Sequence, residues 1–427
     1  MKRKYLSIIC CFASLVANAQ TPAPAPVQSK PVAIVGATVH IGNGEVINNA
    51  SVVFENGKIV SVGNAASVTN EATIIDAKGK HVYPGLIAPN TTLGLVEVES
   101  VRATIDEAEV GYINPNVRSL ISYNTDSDVP ATVRSNGVLL AQVVPQGGLI
   151  TGASSVVQLD AWNWEDAAYA SDNAIHLNWP SMASTGGRPN GPTEEQQKEQ
   201  REKGLQLLVA YFTQAKAYAE SNASSVRNPK FEAMKGLFNG TKKLFVNANS
   251  AKEILAAVSF SRSFGFTPVI VGAADAYMLI PFLKENNVQV LIERVHSLPG
   301  REDVDIDQPY KLAKQLEDAG VLYGLSMDGF WQQRNLPFMA GTTVAYGVEK
   351  EKALASVTLN TAKILGIDKK TGSIEVGKDA NLLLVNGDLL DMKSSNIEQA
   401  FIQGRQIDLN NKQKQLMRKF SDKYNLK

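Results

Sequence analysis

His40, His81, His176 and His296 are the only imidazoles in this chain of 427 residues, and its two cysteines are Cys10 and Cys11. Imidazole and thiolate are the groups that hold zinc and carry general-base or nucleophilic chemistry near neutral pH, so their scarcity limits what the protein can do. His296 follows the apolar run from Val288 to Val295, which places it at the end of a strand, either facing a ligand or satisfied within its loop. His176, beside Leu177 and Trp179, reads as a core or wall residue, and His40 and His81 read as structural. Asp303, Asp305 and Asp307 alternate as at the start of a calcium loop, but Gln308 stands where glycine is needed and no glutamate closes the loop. A solvated acidic turn is the expectation there. Trp162, Trp164 and Trp179 form either an aromatic wall or core anchors. Glu97, Glu99, Asp106, Glu107 and Glu109 make an acidic stretch that reads as a solvated loop face or as a source of carboxylates for a site.

The elements that must position these groups fall into three stretches. Lys2, Arg3 and Lys4, an apolar run from Leu6 to Val16, and Ala17-Asn18-Ala19 have the form of a secretory signal peptide. Cleavage near Ala19 would place the chain in the periplasm or outside the cell and remove both cysteines. A lipid-modified cysteine is the less favoured alternative. Residues 20–31 are rich in proline and read as a linker. Residues 32–83 show short β-branched runs around Asn56-Gly57, a hairpin signal, and 367–412 have the same texture. The two ends are therefore expected to assemble one small β-sandwich domain. Between them, 84–366 alternate strand and helix, which implies a parallel sheet closed as a (β/α)8 barrel. Ser181 to Pro192 is a Gly/Pro/Ser loop, either a lid or a surface insertion, and 413–427 form a C-terminal tail. Balanced charge, 42 Lys+Arg against 42 Asp+Glu, gives no sign of a nucleic-acid partner. No stretch is long and apolar enough to predict a membrane span.

Three runs carry a family resemblance. Tyr83-Pro84-Gly85-Leu86-Ile87 resembles the entry into the first barrel strand of the amidohydrolase superfamily. Asn360-Thr361-Ala362-Lys363-Ile364-Leu365-Gly366 resembles its "NPAKILG" signature, and the run from Gly372 to Leu384 its "GSLEVGKDADLV" return. The exported, imidazolonepropionase-like branch is the most similar. The resemblance implies metal-assisted hydrolysis of C–N bonds at the C-terminal ends of the barrel strands. It also implies where the ligands belong. The two strand-1 histidine positions hold Asn90 and Thr92, the strand-5 position Asn247 and the strand-6 position Gly272. Glu232 matches the strand-4 carboxylate, with Lys235, Lys242 and Lys243 as possible ion-pair partners, and Asp328 matches the strand-8 base.

Asparagine, threonine and one or two carboxylates do not make a zinc site, although they suit harder cations. The expectation is thus a degenerate family member without its metal centre, needing no cofactor and acting by binding or as the partner of an active relative, in a homo- or hetero-oligomer. The alternatives are an active C–N hydrolase using Glu232 and Asp328 with zinc or another divalent metal, and a purely structural exported protein.

Overall fold

A computed structural model describes residues 23–64, 66, 71–182, 192–221, 227–327 and 329–426. The signal segment, most of the Ser181–Pro192 loop and Asp328 lie outside the described residues.

The β domain is one eight-stranded sheet curled over its own core. Its strands are β1 (Val32–His40), β2 (Val46–Glu55), β3 (Lys58–Gly63), β4 (Thr73–Asp76) and β5 (His81–Pro84), completed by β14 (Leu382–Asn386), β15 (Asn396–Ile402) and β16 (Arg405–Ile407). The order is β16-β15-β14-β5-β1-β2-β3, with β4 on β1. The β2–β3 turn places Asn56 at φ 52° and Gly57 at φ 79°, the left-handed pair that a two-residue hairpin requires and that Asn-Gly tolerates best. Phe54 of β2 meets Phe401 of β15 edge to face at 5.0 Å, which shows how far the sheet curls.

Alternation along β14 serves two cores at once. Leu382 and Leu384 point into the β-domain core, while Leu383 and Val385 join the large cluster around the barrel. Burying both faces of one strand leaves the two domains without an independent boundary.

The barrel contains β6 (Leu86–Thr91), β7 (Val138–Val143), β8 (Ile150–Gln158), β9 (Ala168–Asn178), β10 (Lys243–Ala248), β11 (Val269–Gly272), β12 (Gln289–Glu293) and β13 (Tyr323–Ser326) in sequential order. Seven run parallel; β8 is antiparallel to both its neighbours. The reason is local. Only Val144 to Leu149 separate β7 from β8, and a parallel crossover needs a dozen residues or more. Gly147 and Gly148, at φ 81° and 69°, make the reversal possible. Among the described residues the β13–β6 seam has no ladder; Thr91 Oγ1 donates to Gly329 O (2.7 Å) across it, and Ile87 N–H donates to Val357 O (2.9 Å).

Helices surround the barrel, among them α1 (Asp128–Arg134), α2 (Glu194–Glu220), α3 (Pro229–Phe238), α4 (Ala251–Ser263), α5 (Ile280–Glu285), α6 (Gln308–Ala319) and α7 (Leu336–Ala345). After α8 (Lys350–Ser356), α9 (Leu359–Leu365) seals the end where the parallel strands begin. Lys243, at the start of β10, donates to the carbonyls of Lys363 and Ile364, and Ile364 and Leu365 join the interior cluster of Ile87, Leu140, Phe245 and Leu291. The "NPAKILG"-like run is therefore a plug. A last helix, α10 (Lys412–Tyr424), has no buried residue.

The proline-rich segment is held down over its described part. Ala25 N–H donates to Asp160 Oδ2 (2.9 Å), and Gln28 bonds Phe54 O and Gly57 N (2.9 Å each). Asp160 is also paired with Arg134 and Arg405, both at 2.9 Å. Residues 23–31 thus form an extended strap from the β domain to the barrel.

Candidate functional site at the barrel mouth

The parallel strands all deliver their last residues to one end of the barrel, as strand polarity dictates. Asn90 and Thr92 arrive there from β6, Asn178 from β9, Asn247 from β10, Gly272 from β11 and Glu293 from β12. Asp328 follows β13 by two residues in sequence. A cavity of about 520 Å³ opens among Asn90, Thr92, Asn247, Asn249, Glu293 and Arg294. A second, of about 640 Å³, shares the last four of these and extends past Trp179 and Leu298.

These side chains bind one another. Asn90 Nδ2 donates to Glu293 Oε1 at 3.2 Å, and Asn247 Nδ2 donates to Asn178 Oδ1 at 2.6 Å. Asn178 Nδ2 in turn donates to Gly148 O at 2.9 Å. Asn90 sits at φ 50° and leaves its Oδ1 buried with no partner. Below lies a buried polar layer: Gln142 donates to Ser154 Oγ (3.0 Å), which lies 2.8 Å from His176 Nε2. Burial with Phe245 stacked at 4.9 Å pushes the His176 pKa down to about 3, so the ring is neutral.

Zinc does not fit these donors. Among the described residues no imidazole or thiolate lines the mouth, and two of the amides already spend donors on neighbouring carboxylate or amide oxygens. Gly272 stands at φ 89°, and a Cβ there would overlap Asn249 Oδ1. The strand-6 position has therefore closed around the absence of a side chain. Among the described residues no three His, Cys, Asp or Glu side chains converge as a metal site.

Glu232 requires a correction. It lies on α3, not on a barrel strand, because Asn228 caps that helix and Pro229 opens it. Its Oε1 accepts from Lys235 Nζ (2.8 Å) and Tyr218 Oη (2.7 Å), which together hold the carboxyl below its usual range. Lys235 is the partner; Lys242 and Lys243 bond carbonyl groups elsewhere. Counting β13 as the eighth barrel strand makes β9 the fourth, and the residue at its end is Asn178.

The other candidates disperse. His296 Nε2 lies 2.7 Å from Thr342 Oγ1 on α7, and the ring is not among the residues that line the two cavities. Burial and then Arg294 lower its pKa. Asp303 pairs with Arg301, and Asp305 and Asp307 with Lys311, as expected of a solvated acidic turn. Trp162 is exposed, whereas Trp179 packs on Phe260 and lines the second cavity. His40 bonds Glu351 (2.8 Å) and His81 (3.0 Å) between the β domain and α8. From the acidic stretch, Glu99 and Glu107 reach the first cavity.

Sequence reasoning missed Asn178, Asn249, Glu293 and Arg294. The signal for Glu293 was present: Leu291 points into the barrel, so a period of two turns Glu293 inward as well. Glu253 and Asp275, beside the second cavity, are already engaged. Burial opposes ionisation of Glu253, but N–H groups of Met182, Ser250 and Asn249 hold its pKa below the usual range. Asp275 carries Arg301 on both oxygens at 2.9 and 2.7 Å.

A barrel with its polar mouth at the strand ends, joined to a β domain made from both chain ends, defines an amidohydrolase-type fold. An amidohydrolase of Thermotoga maritima superposes with a TM-score of 0.77 at 24% identity, over 88% of this chain and 99% of that one. The amidohydrolase family model matches residues 262–407. A 5'-deoxyadenosine deaminase of Methanobrevibacter smithii is 23% identical over 371 residues, covering 79% of each chain. An imidazolonepropionase of Thermoplasma volcanium is 24% identical over 372 residues, covering 83% of this chain and 89% of its own. The chain is thus similar to the amidohydrolase superfamily, and within it to the imidazolonepropionase-like branch.

Proposed function

We propose that this protein is an exported, degenerate amidohydrolase that binds a ligand at the barrel mouth, alone or as the partner of an active relative, without metal-assisted hydrolysis. The observation that carries this reading is the Asn90–Glu293 and Asn178–Asn247 pairing, which engages Asn90 and Asn247 at two strand ends where imidazoles would have to stand. Amide side chains neither lower the pKa of a bound water as a zinc site does nor accept its proton. A lone carboxylate acting as general base contributes only about 10²–10⁴-fold, little against an amide bond.

The test is metal analysis of the purified, tag-free protein after incubation with zinc, alongside assays on amides and cyclic amides. Substoichiometric metal and no turnover are expected. Close to one equivalent of zinc or another transition metal would sink the reading. So would hydrolysis that disappears in Asp328→Asn, because that result restores the family base. Export has its own check: the mature N-terminus should begin just after Ala19.

A further inference from the structure

Two surfaces of the chain stay uncovered and have opposite charge. The first is α10. Its apolar side chains Leu416, Met417, Phe420 and Tyr424 fall on one stripe at helical spacing, and Met417 is 70% exposed. Lys412, Lys414, Arg418, Lys419 and Lys423 accompany them, against the single acid Asp422. A helix of 13 residues without one buried side chain is marginal in water on its own. Something must cover its apolar stripe.

The second surface is the segment from Glu97 to Tyr112 at the rim of the mouth. It carries Glu97, Glu99, Asp106, Glu107 and Glu109 against the single cation Arg102. It also exposes Val98, Val101, Val110 and Tyr112, with Val110 at 91%. The acids therefore lie among uncovered apolar side chains, as the bases do on α10.

The two surfaces are neighbours. Glu97 Oε1 accepts from Asp128 N–H at 3.3 Å at the start of α1, and Lys412 Nζ lies 3.6 Å from Asp128 Oδ2. Gln413 accepts from Thr132 Oγ1 at the start of α10, and no residue of the helix is buried within its own chain. Self-complementary patches side by side on one face are what a two-fold dimer needs: each copy offers what the other lacks, and the contact closes.

We infer that α10 of one copy docks on the acidic rim segment Glu97–Tyr112 of a second copy, and reciprocally, in a two-fold dimer. The apolar stripe meets Val101, Val110 and Tyr112, while the lysines and arginine meet the carboxylates. Glu99 and Glu107 line the mouth cavity, so each copy's helix borders its partner's ligand site. The inference stands apart from the question of catalysis, since it uses none of the strand-end residues.

The experiment is light scattering on the full chain at micromolar concentration, in low and high salt. A dimer is expected, weakened by salt as an opposite-charge interface requires. Arg418→Glu with Lys419→Glu should weaken dimerisation roughly tenfold or more, as should Glu99→Lys with Glu109→Lys. Mixing these two variants should restore a dimer, because each reversed helix then meets a reversed rim. That rescue also separates a lost interface from a misfolded chain. A monomeric wild type overturns the inference, as does a dimer indifferent to both reversals. A monomer that sediments with vesicles containing anionic phosphatidylglycerol, but not with neutral phosphatidylcholine, overturns it in favour of a membrane surface.

Discussion

Gly272 is a strand-end position with no room for a side chain. At φ 89°, with Asn249 Oδ1 in the space a Cβ would fill, it cannot accept an imidazole by simple substitution. Gly272→His is expected to lower stability by about 1–3 kcal/mol from backbone strain alone, with no gain in melting temperature on adding zinc. Thermal melts with and without the metal check this, and zinc-dependent stabilisation would contradict it. His176 makes a different prediction. Its folded pKa, about 3, lies below the ordinary value of 6.5. Above 6.5 both folded and unfolded states are neutral and the group has no effect. As pH falls below 6.5, the unfolded chain takes up a proton that the folded chain excludes. Stability then declines by about 1.4 kcal/mol per pH unit until the folded pKa is reached. Urea unfolding between about pH 6.5 and 4 should show a shallower decline in His176→Gln than in wild type. Equal slopes would mean that the ring is not buried neutral.

At the scale of elements, the strap of residues 23–31 depends on one carboxylate. Asp160 is 3% exposed and accepts from Arg134, Arg405 and Ala25 N–H. Neutralising it leaves two guanidinium groups with a poorer acceptor and loosens the strap. Asp160→Asn should cost about 3–5 kcal/mol, the usual penalty for breaking a buried ion pair. It should also speed proteolysis within the strap, and unchanged cleavage there would show that Gln28 suffices. The hairpin at Asn56-Gly57 and the strand-helix alternation after Lys243 were legible because local chemistry decides both. The antiparallel β8 was not. Its residues look like any buried strand, and its direction follows from the short connection behind it. Glu232 failed for a related reason: the resemblance put it on a strand, whereas the Asn228 cap, Pro229 and the helix-forming Glu232-Ala233-Met234 make the run a helix.

Across the whole molecule, the two domains share their hydrophobic burial through β14. Leu383 is fully buried on the barrel side and Leu384 on the β-domain side. Tyr169 Oη donates to Asp379 at 2.5 Å, and Asp379 also pairs with Lys58 of β3, tying barrel to sheet a second time. The described chain is expected to unfold in one calorimetric transition. Leu383→Ala should cost about 2–5 kcal/mol and shift that transition as a unit. Two separate endotherms in the variant would show that the domains are energetically independent.

The sequence by itself determined the family resemblance, the barrel with its composite β domain, and the residue types at the strand-end positions. All three reside in residue types and their order, which need no folding to be read. Tertiary structure alone decided how the strand-end residues pair. It placed Glu293 beside Asn90 and Asn178 beside Asn247, and moved Glu232 to an outer helix. Such pairs join residues as far as 203 positions apart, and only the closing of the barrel brings them within hydrogen-bond reach.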